Sequence, residues 1–187
     1  KCYRNTVPTF SDLPPNSPQG RILKVSGDLQ NAQDDYYVVF NNGQWMETYG
    51  WNGGAGVYAN TMPWVLMHNP DDTFTFVPHV WRDRGAGDAV SGHIPSFAGD
   101  GINDIFLFGG RLGFITDTNI VLSETFRYEN FFRTTLASLQ DSDPVDFTVA
   151  TRNDDTLNYV IPFNKDLLIM ADKSQYRFQY GQFIGPK

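Results

Sequence analysis

Three carboxylates, Asp141, Asp143 and Asp146, crowd into "DSDPVDF". They are hard oxygen donors of the kind calcium takes, but the glycine and distal glutamate of the helix-loop-helix calcium loop are missing. Asp-Pro is also an ordinary turn starter. Further carboxylates come in neighbouring pairs, Asp34-Asp35, Asp71-Asp72 and Asp154-Asp155. A glycosidase needs two carboxyls roughly 5–9 Å apart across its substrate, whereas sequence neighbours on a strand point to opposite faces. The pairs therefore read as turn residues and solvated edges. Gly109-Gly110 stands before Arg111 in "NDIFLFGGRLGFITDTNIVLSE", and a glycine pair beside a cation can cradle phosphate. A phosphate loop also needs a following helix aimed at the anion, and here the glycines lie between two strand-like runs. They predict a hairpin turn. Gly54-Ala55-Gly56-Val57-Tyr58-Ala59 matches a dinucleotide fingerprint in spacing, again with no helix behind it.

The remaining reactive residues do not assemble into a motif. His68, His79 and His93 lack metal-ligand spacing, there is no G-x-S-x-G elbow, and Cys2 is a terminal thiol with no evident partner. No catalytic, cofactor-binding or metal residue is assigned, and no cofactor is expected. Of the tryptophans, Trp45 and Trp64 fall inside hairpins and read as core, while Trp51 sits in a Gly-rich loop and reads as a contact residue. Trp51, Arg111, Tyr128 and Phe132 make up the candidate assembly or contact surface. A glycan-binding or glycan-hydrolysing module, using the carboxylates and Trp51, stands as the alternative to a structural role.

The 187 residues are rich in Phe, Gly, Asn, Asp and Pro and poor in charge, which suits short strands joined by tight turns. A net charge of −7 disfavours free nucleic-acid binding, which needs clustered Lys and Arg. One cysteine excludes an internal disulfide framework. No apolar run reaches the roughly 20 residues that span a bilayer, so no membrane insertion by a helix is expected. The chain opens "KCYRNTVPTF" without an initiator Met, and a processed product or an excised fragment of something longer is expected.

The elements that would position these residues are mostly strands. "SDLPPNSPQG" is a rigid lead-in, "GRILKVSG" a strand, and "DDYYVVF-NNG-QWMET" a hairpin turning on Asn42-Gly43. "PWVLMH-NPDD-TFTFV" is a second hairpin, with Phe74 and Phe76 sharing one face. Residues 82–101 are a polar, glycine-rich connector. "FGGRLGFITDTNIVL" (108–122) then aligns with "FNKDLLIMADKSQYR" (163–177), keeping apolar residues at Phe108/Phe163, Leu112/Leu167, Phe114/Ile169 and Ile115/Met170. A period of this size predicts a repeated sheet unit such as a propeller blade. "SETFRYENFFRTTLASL" predicts a short helix near 123–135, with Ser123 as N-cap. The expected fold is mainly β: an antiparallel β domain over 1–94, then part of a β-propeller, about two blades, over 95–187.

"TMPWVLMHNPDDTFTF", "IPSFAGDGINDIFLFGGRLGFITDTNIVLSE", "YENFF", "DSDPVDF" and "VIPFNKDLLIMADKSQYRF" resemble, in order, tail tubular protein B of short-tailed bacteriophages, the nozzle protein of the tail. The resemblance runs from about Phe10 to Phe178. It implies a virion tail component, a propeller with inserted β domains, and a homohexameric ring around a channel that DNA crosses without specific binding. It also implies a tail adaptor protein (tail tubular protein A) and tail fibres as neighbours. It brings no catalytic motif, so the family is expected not to be enzymatic.

Overall fold

The computed structural model describes residues 5–27, 35–51, 61–149 and 155–179. Within them the fold is mainly β, with a short 3-10 turn at Phe10–Asp12. The chain forms two compact units. The first holds described residues 5–27, 35–51, 83–94 and 132–140. The second holds 61–82, 95–131, 141–149 and 155–179.

The first unit is a four-stranded sheet in the order β1 (Thr6–Val7), β2 (Ile22–Val25), β3 (Tyr36–Asn41), β4 (Gln44–Thr48). β1 runs parallel to β2 and the other pairs are antiparallel. The β3–β4 hairpin turns on Asn42 (φ 48°) and Gly43 (φ 82°), the left-handed pair that suits a two-residue loop. Leu23, Val25 and Val38 form its small buried cluster, with Leu13 and Trp45 packed alongside. The proline-rich lead-in is tied down by polar contacts, because the Trp45 indole donates to the Pro14 carbonyl at 2.8 Å and the Gly20 amide to the Phe40 carbonyl at 2.9 Å.

The second unit carries three sheets. β5 (Trp64–His68) and β6 (Phe74–Pro78) form a two-stranded ribbon. β7 (Asp104–Phe108), β8 (Arg111–Ile115), β9 (Asn119–Leu122) and β10 (Val145–Thr148) make an antiparallel meander. β11 (Leu157–Phe163), β12 (Asp166–Ala171) and β13 (Gln175–Gln179) make a second one. All of these sheets are open among the described residues. The 55-residue repeat holds strand for strand: β7-β8-β9 and β11-β12-β13 share their strand order, and both first hairpins close on two residues. Gly109 (φ 57°) and Gly110 (φ 74°) occupy the first turn, and Asn164 (φ 55°) opens the second, where Asn is the side chain that best tolerates this region.

β8 and β9 are buried on both faces. Ile115, Ile120 and Leu122 point to one side and, with Phe106, meet Leu157, Val160, Leu167 and Ile169 of the three-stranded sheet. Phe114 and Val121 point to the other, under Met62, Phe97 and Phe131. The rings there are edge-on or tilted, with Phe97–Phe114 centroids 4.6 Å and Phe97–Phe131 centroids 4.9 Å apart, arrangements that suit the aromatic quadrupole.

The expected helix over 123–135 does not form. Phe126 sits at φ 59°, outside the right-handed helical region, with its amide bound to the Gly110 carbonyl at 2.7 Å. The Glu124 amide donates to the Asn130 carbonyl at 2.8 Å, and the Glu124 carboxylate takes the Asn130 side-chain amide. The segment is thus a closed loop that delivers Phe131 to the aromatic cluster. Ser123 is no N-cap either; its hydroxyl accepts from the Leu112 amide at 3.0 Å and donates to the Glu124 carbonyl at 3.0 Å. Trp64, expected in the core, is 46% exposed, because among the described residues no sheet packs on that face of its hairpin.

Two glycines of this sheet predict different penalties. Gly109→Ala places a Cβ at positive φ and is expected to cost about 1 kcal/mol. Gly113→Ala drives a Cβ into the Phe106 ring in a closed core and is expected to cost about 2–3 kcal/mol. Denaturant unfolding of both variants checks the order. A larger loss for Gly109→Ala would contradict this account of the core.

Candidate functional site

The residues with chemical potential are mostly occupied in holding backbone. Arg111, at the head of β8, is buried, and its guanidinium donates to the carbonyls of Ser123 (2.7 Å), Asp143 (2.6 Å), Asp141 (2.6 Å) and Ser142 (3.3 Å). A planar fork with several donors can serve carbonyls from separate segments at once. The cation beside Gly109-Gly110 therefore faces inward and staples the 141–143 loop to the end of β9. The glycines themselves are followed by a strand, as a turn requires and a phosphate cradle does not.

The carboxylates do similar work. Asp146 accepts from the Ser96 amide at 2.8 Å and its hydroxyl at 2.5 Å. Asp104 accepts from the Val160 amide at 2.8 Å, linking the two meanders. Asp155 is buried and accepts from the Lys173 amide at 2.7 Å. Asp35 is buried and pairs with Lys24. Asp71 accepts from the Thr73 hydroxyl at 2.6 Å, and Asp72 pairs with His68 at 3.2 Å on the exposed hairpin end. Among the described residues no group of three or more His, Cys, Asp or Glu converges as metal ligands would. Cys2, Asp34, Asp154 and the 54–59 glycine stretch lie outside the described residues.

One polar pair in the first unit is electrostatically tuned. The Tyr37 hydroxyl donates to Asp88 Oδ2 at 2.6 Å. Burial alone would raise the Asp88 pKa. The Tyr37 hydroxyl, the amides of Ser91 and Val90 and the Ser91 hydroxyl outweigh it and hold the carboxyl at about 2. Burial first, then Asp88, pushes the Tyr37 phenol above its ordinary range. Nearby, Glu47 on β4 accepts from the Leu136 amide at 2.7 Å and the Thr135 hydroxyl at 2.6 Å. These contacts fasten segments 83–94 and 132–140 to the sheet of their own unit.

The four expected surface residues divide. Trp51 is 47% exposed, edge-on to Tyr37 with centroids 5.1 Å apart, and Tyr128 is 44% exposed. Arg111 and Phe132 are corrected: both are buried, Arg111 by its carbonyls and Phe132 under the Arg84 guanidinium at 5.4 Å. Tyr128 and Arg111 belong to the second unit, Trp51 and Phe132 to the first, so no single patch gathers them within one unit. Sequence reading missed a larger surface, the aromatic face of the β5–β6 ribbon. Its signal was present, since Phe74 and Phe76 alternate on one face.

Comparison with known proteins decides the family. The bacteriophage nozzle protein family matches residues 1–187, the whole chain. The chain belongs to the bacteriophage nozzle protein family. Tail tubular protein gp12 of Escherichia phage T7 is 41% identical over 170 residues, which is 90% of this chain and 21% of that protein. The chain thus spans about a fifth of the length of the curated relative it matches. A nozzle-family chain is a structural part of the virion tail and not an enzyme.

Two outcomes follow from these contacts. Replacing Arg111 by Lys is expected to destabilise by about 3 kcal/mol, because one ammonium cannot serve carbonyls on both segments and buried acceptors lose their donors. Thermal melting checks this, and a loss near zero would contradict it. The Tyr37–Asp88 pair predicts a pH dependence. The Asp88 pKa is lower folded than unfolded, so its stabilisation is complete above the unfolded value near 4 and disappears as pH falls toward 2. Tyr37→Phe is expected to cost about 1–2 kcal/mol at pH 7 and progressively less below pH 4. A penalty unchanged down to pH 2 would contradict the assignment.

Proposed function

We propose that this chain forms part of the nozzle ring of a phage tail, through which DNA leaves the particle and near which the adaptor protein and tail fibres attach. In this reading six copies of the full protein surround the channel. Residues 95–187 supply blade-like sheets of a propeller, and residues 1–94 an inserted β domain whose last hairpin, β5–β6, packs with the blades. The observation that carries the reading is the whole-chain family match, joined to two meanders repeating at 55 residues. A repeated open sheet that leaves a face uncovered is what a propeller blade offers before its neighbours are added. The charge of −7 supports a conduit, since strong phosphate contacts would slow the DNA. The position relative to fibres and adaptor rests on the family alone.

Absolute peptide quantification on purified virions of the phage encoding this sequence tests the reading. Six copies per particle are expected. Absence from the particle, or a copy number that is not a multiple of six, would overturn it.

A further inference from the structure

We propose that the β5–β6 hairpin is a docking knob for a second copy of this chain, and that it seats on the outer face of β11 in that copy. The inference rests on the tail-ring reading and names the contact such a ring would need.

The hairpin register places Trp64, Leu66 and His68 opposite Pro78, Phe76 and Phe74, so all six side chains share one face. That face is left bare: Leu66 is 61%, Phe74 63% and Phe76 64% exposed. A ribbon of two strands is marginal on its own and gains most from burying a face. The Trp64 and Phe76 rings lie 5.2 Å apart. At the root of the hairpin they help wall a groove of about 470 Å³ floored by Met62, Phe97 and Ile102. The Phe74 and Phe76 rings, about six-tenths exposed, and the half-exposed Trp64, at roughly 150–250 Å² each, together with Leu66, offer on the order of 400–500 Å² of apolar surface. That is at the upper end for a free monomer surface, and at least half of the roughly 800 Å² one side of a standard interface buries.

Charge selects the occupant. The shared face carries no Lys, Arg, Asp or Glu, so a nucleic acid or a strongly basic partner finds no counter-charge on it. For the same reason the mutual repulsion of two chains of −7 is not focused there. The chain itself displays a second apolar strip, beside which Asp166, opposite Phe163, is paired with Arg177 at 2.6 Å. Tyr159, Ile161 and Phe163 on β11 are 63%, 50% and 58% exposed. Knob and strip are different patches, so the contact is heterologous, the type that repeats into a ring.

Sedimentation equilibrium on the 187-residue chain tests this, with Phe76→Asp removing the knob and Ile161→Asp the strip. Both positions are exposed, and melting curves confirm that each variant folds. The unsubstituted chain is expected to self-associate with a Kd on the order of 10–100 µM. Each variant alone is expected to associate at least tenfold more weakly. An equimolar mixture should recover a one-to-one dimer, because one intact knob meets one intact strip. A chain that stays monomeric throughout, association indifferent to Phe76→Asp, or a mixture no better than the separate variants would overturn the proposal. Six copies per virion alongside any of these results would leave the tail reading standing and remove only this contact.

Discussion

Two strands buried on both sides hold the second unit together. β8 and β9 send Ile115, Ile120 and Leu122 one way and Phe114 and Val121 the other, so a single layer of backbone separates two apolar clusters. A sheet in that position has no solvent face to absorb error. Its ladder must be complete, its close approaches need glycine at Gly113, and any charge at its margin must be fully satisfied. Arg111 meets the last condition with carbonyls from outside the sheet, and so turns a costly buried cation into the link that positions the 141–143 loop.

The same economy runs through the carboxylates of the described residues. Asp104, Asp146, Asp155 and Glu47 each accept backbone amides, and Asp88 takes a tyrosine hydroxyl with two amides. A carboxylate used this way is fixed in place, its lone pairs taken up by backbone donors. What is left unspent is apolar: the aromatic face of β5–β6 and the outer strip of β11. Surplus apolar surface on a chain of a tail protein family points toward assembly.

Much of this was legible in the sequence where local chemistry decides. Asn42-Gly43 and Gly109-Gly110 mark their hairpins because two-residue loops demand positive φ. The 55-residue repeat was visible because a meander rewrites the same strand spacing. The helix over 123–135 misled because aromatic residues at i and i+4 also arise in a loop that hands single rings to a cluster; Phe131 goes to Phe97 and Phe114, while Phe126 takes a left-handed backbone against Gly110. Arg111 and Trp64 misled in opposite directions. Neither the inward turn of the one nor the exposure of the other is local, since both depend on which sheets happen to cover which face. The return of 83–94 and 132–140 to the first unit rests on Tyr37–Asp88 and Glu47–Leu136, pairs far apart in the chain and invisible to periodicity.

Native-state hydrogen exchange on the 187-residue chain tests the central claim most directly, because amides reveal which segments open only with global unfolding. At low protein concentration the amides of β8 and β9 are expected to exchange slowest, at the rate set by global unfolding. Those of the β5–β6 ribbon, with no covering layer on its aromatic face, are expected to exchange orders of magnitude faster. Equal protection of the ribbon and the two central strands, or faster exchange from β8 and β9, would contradict the account.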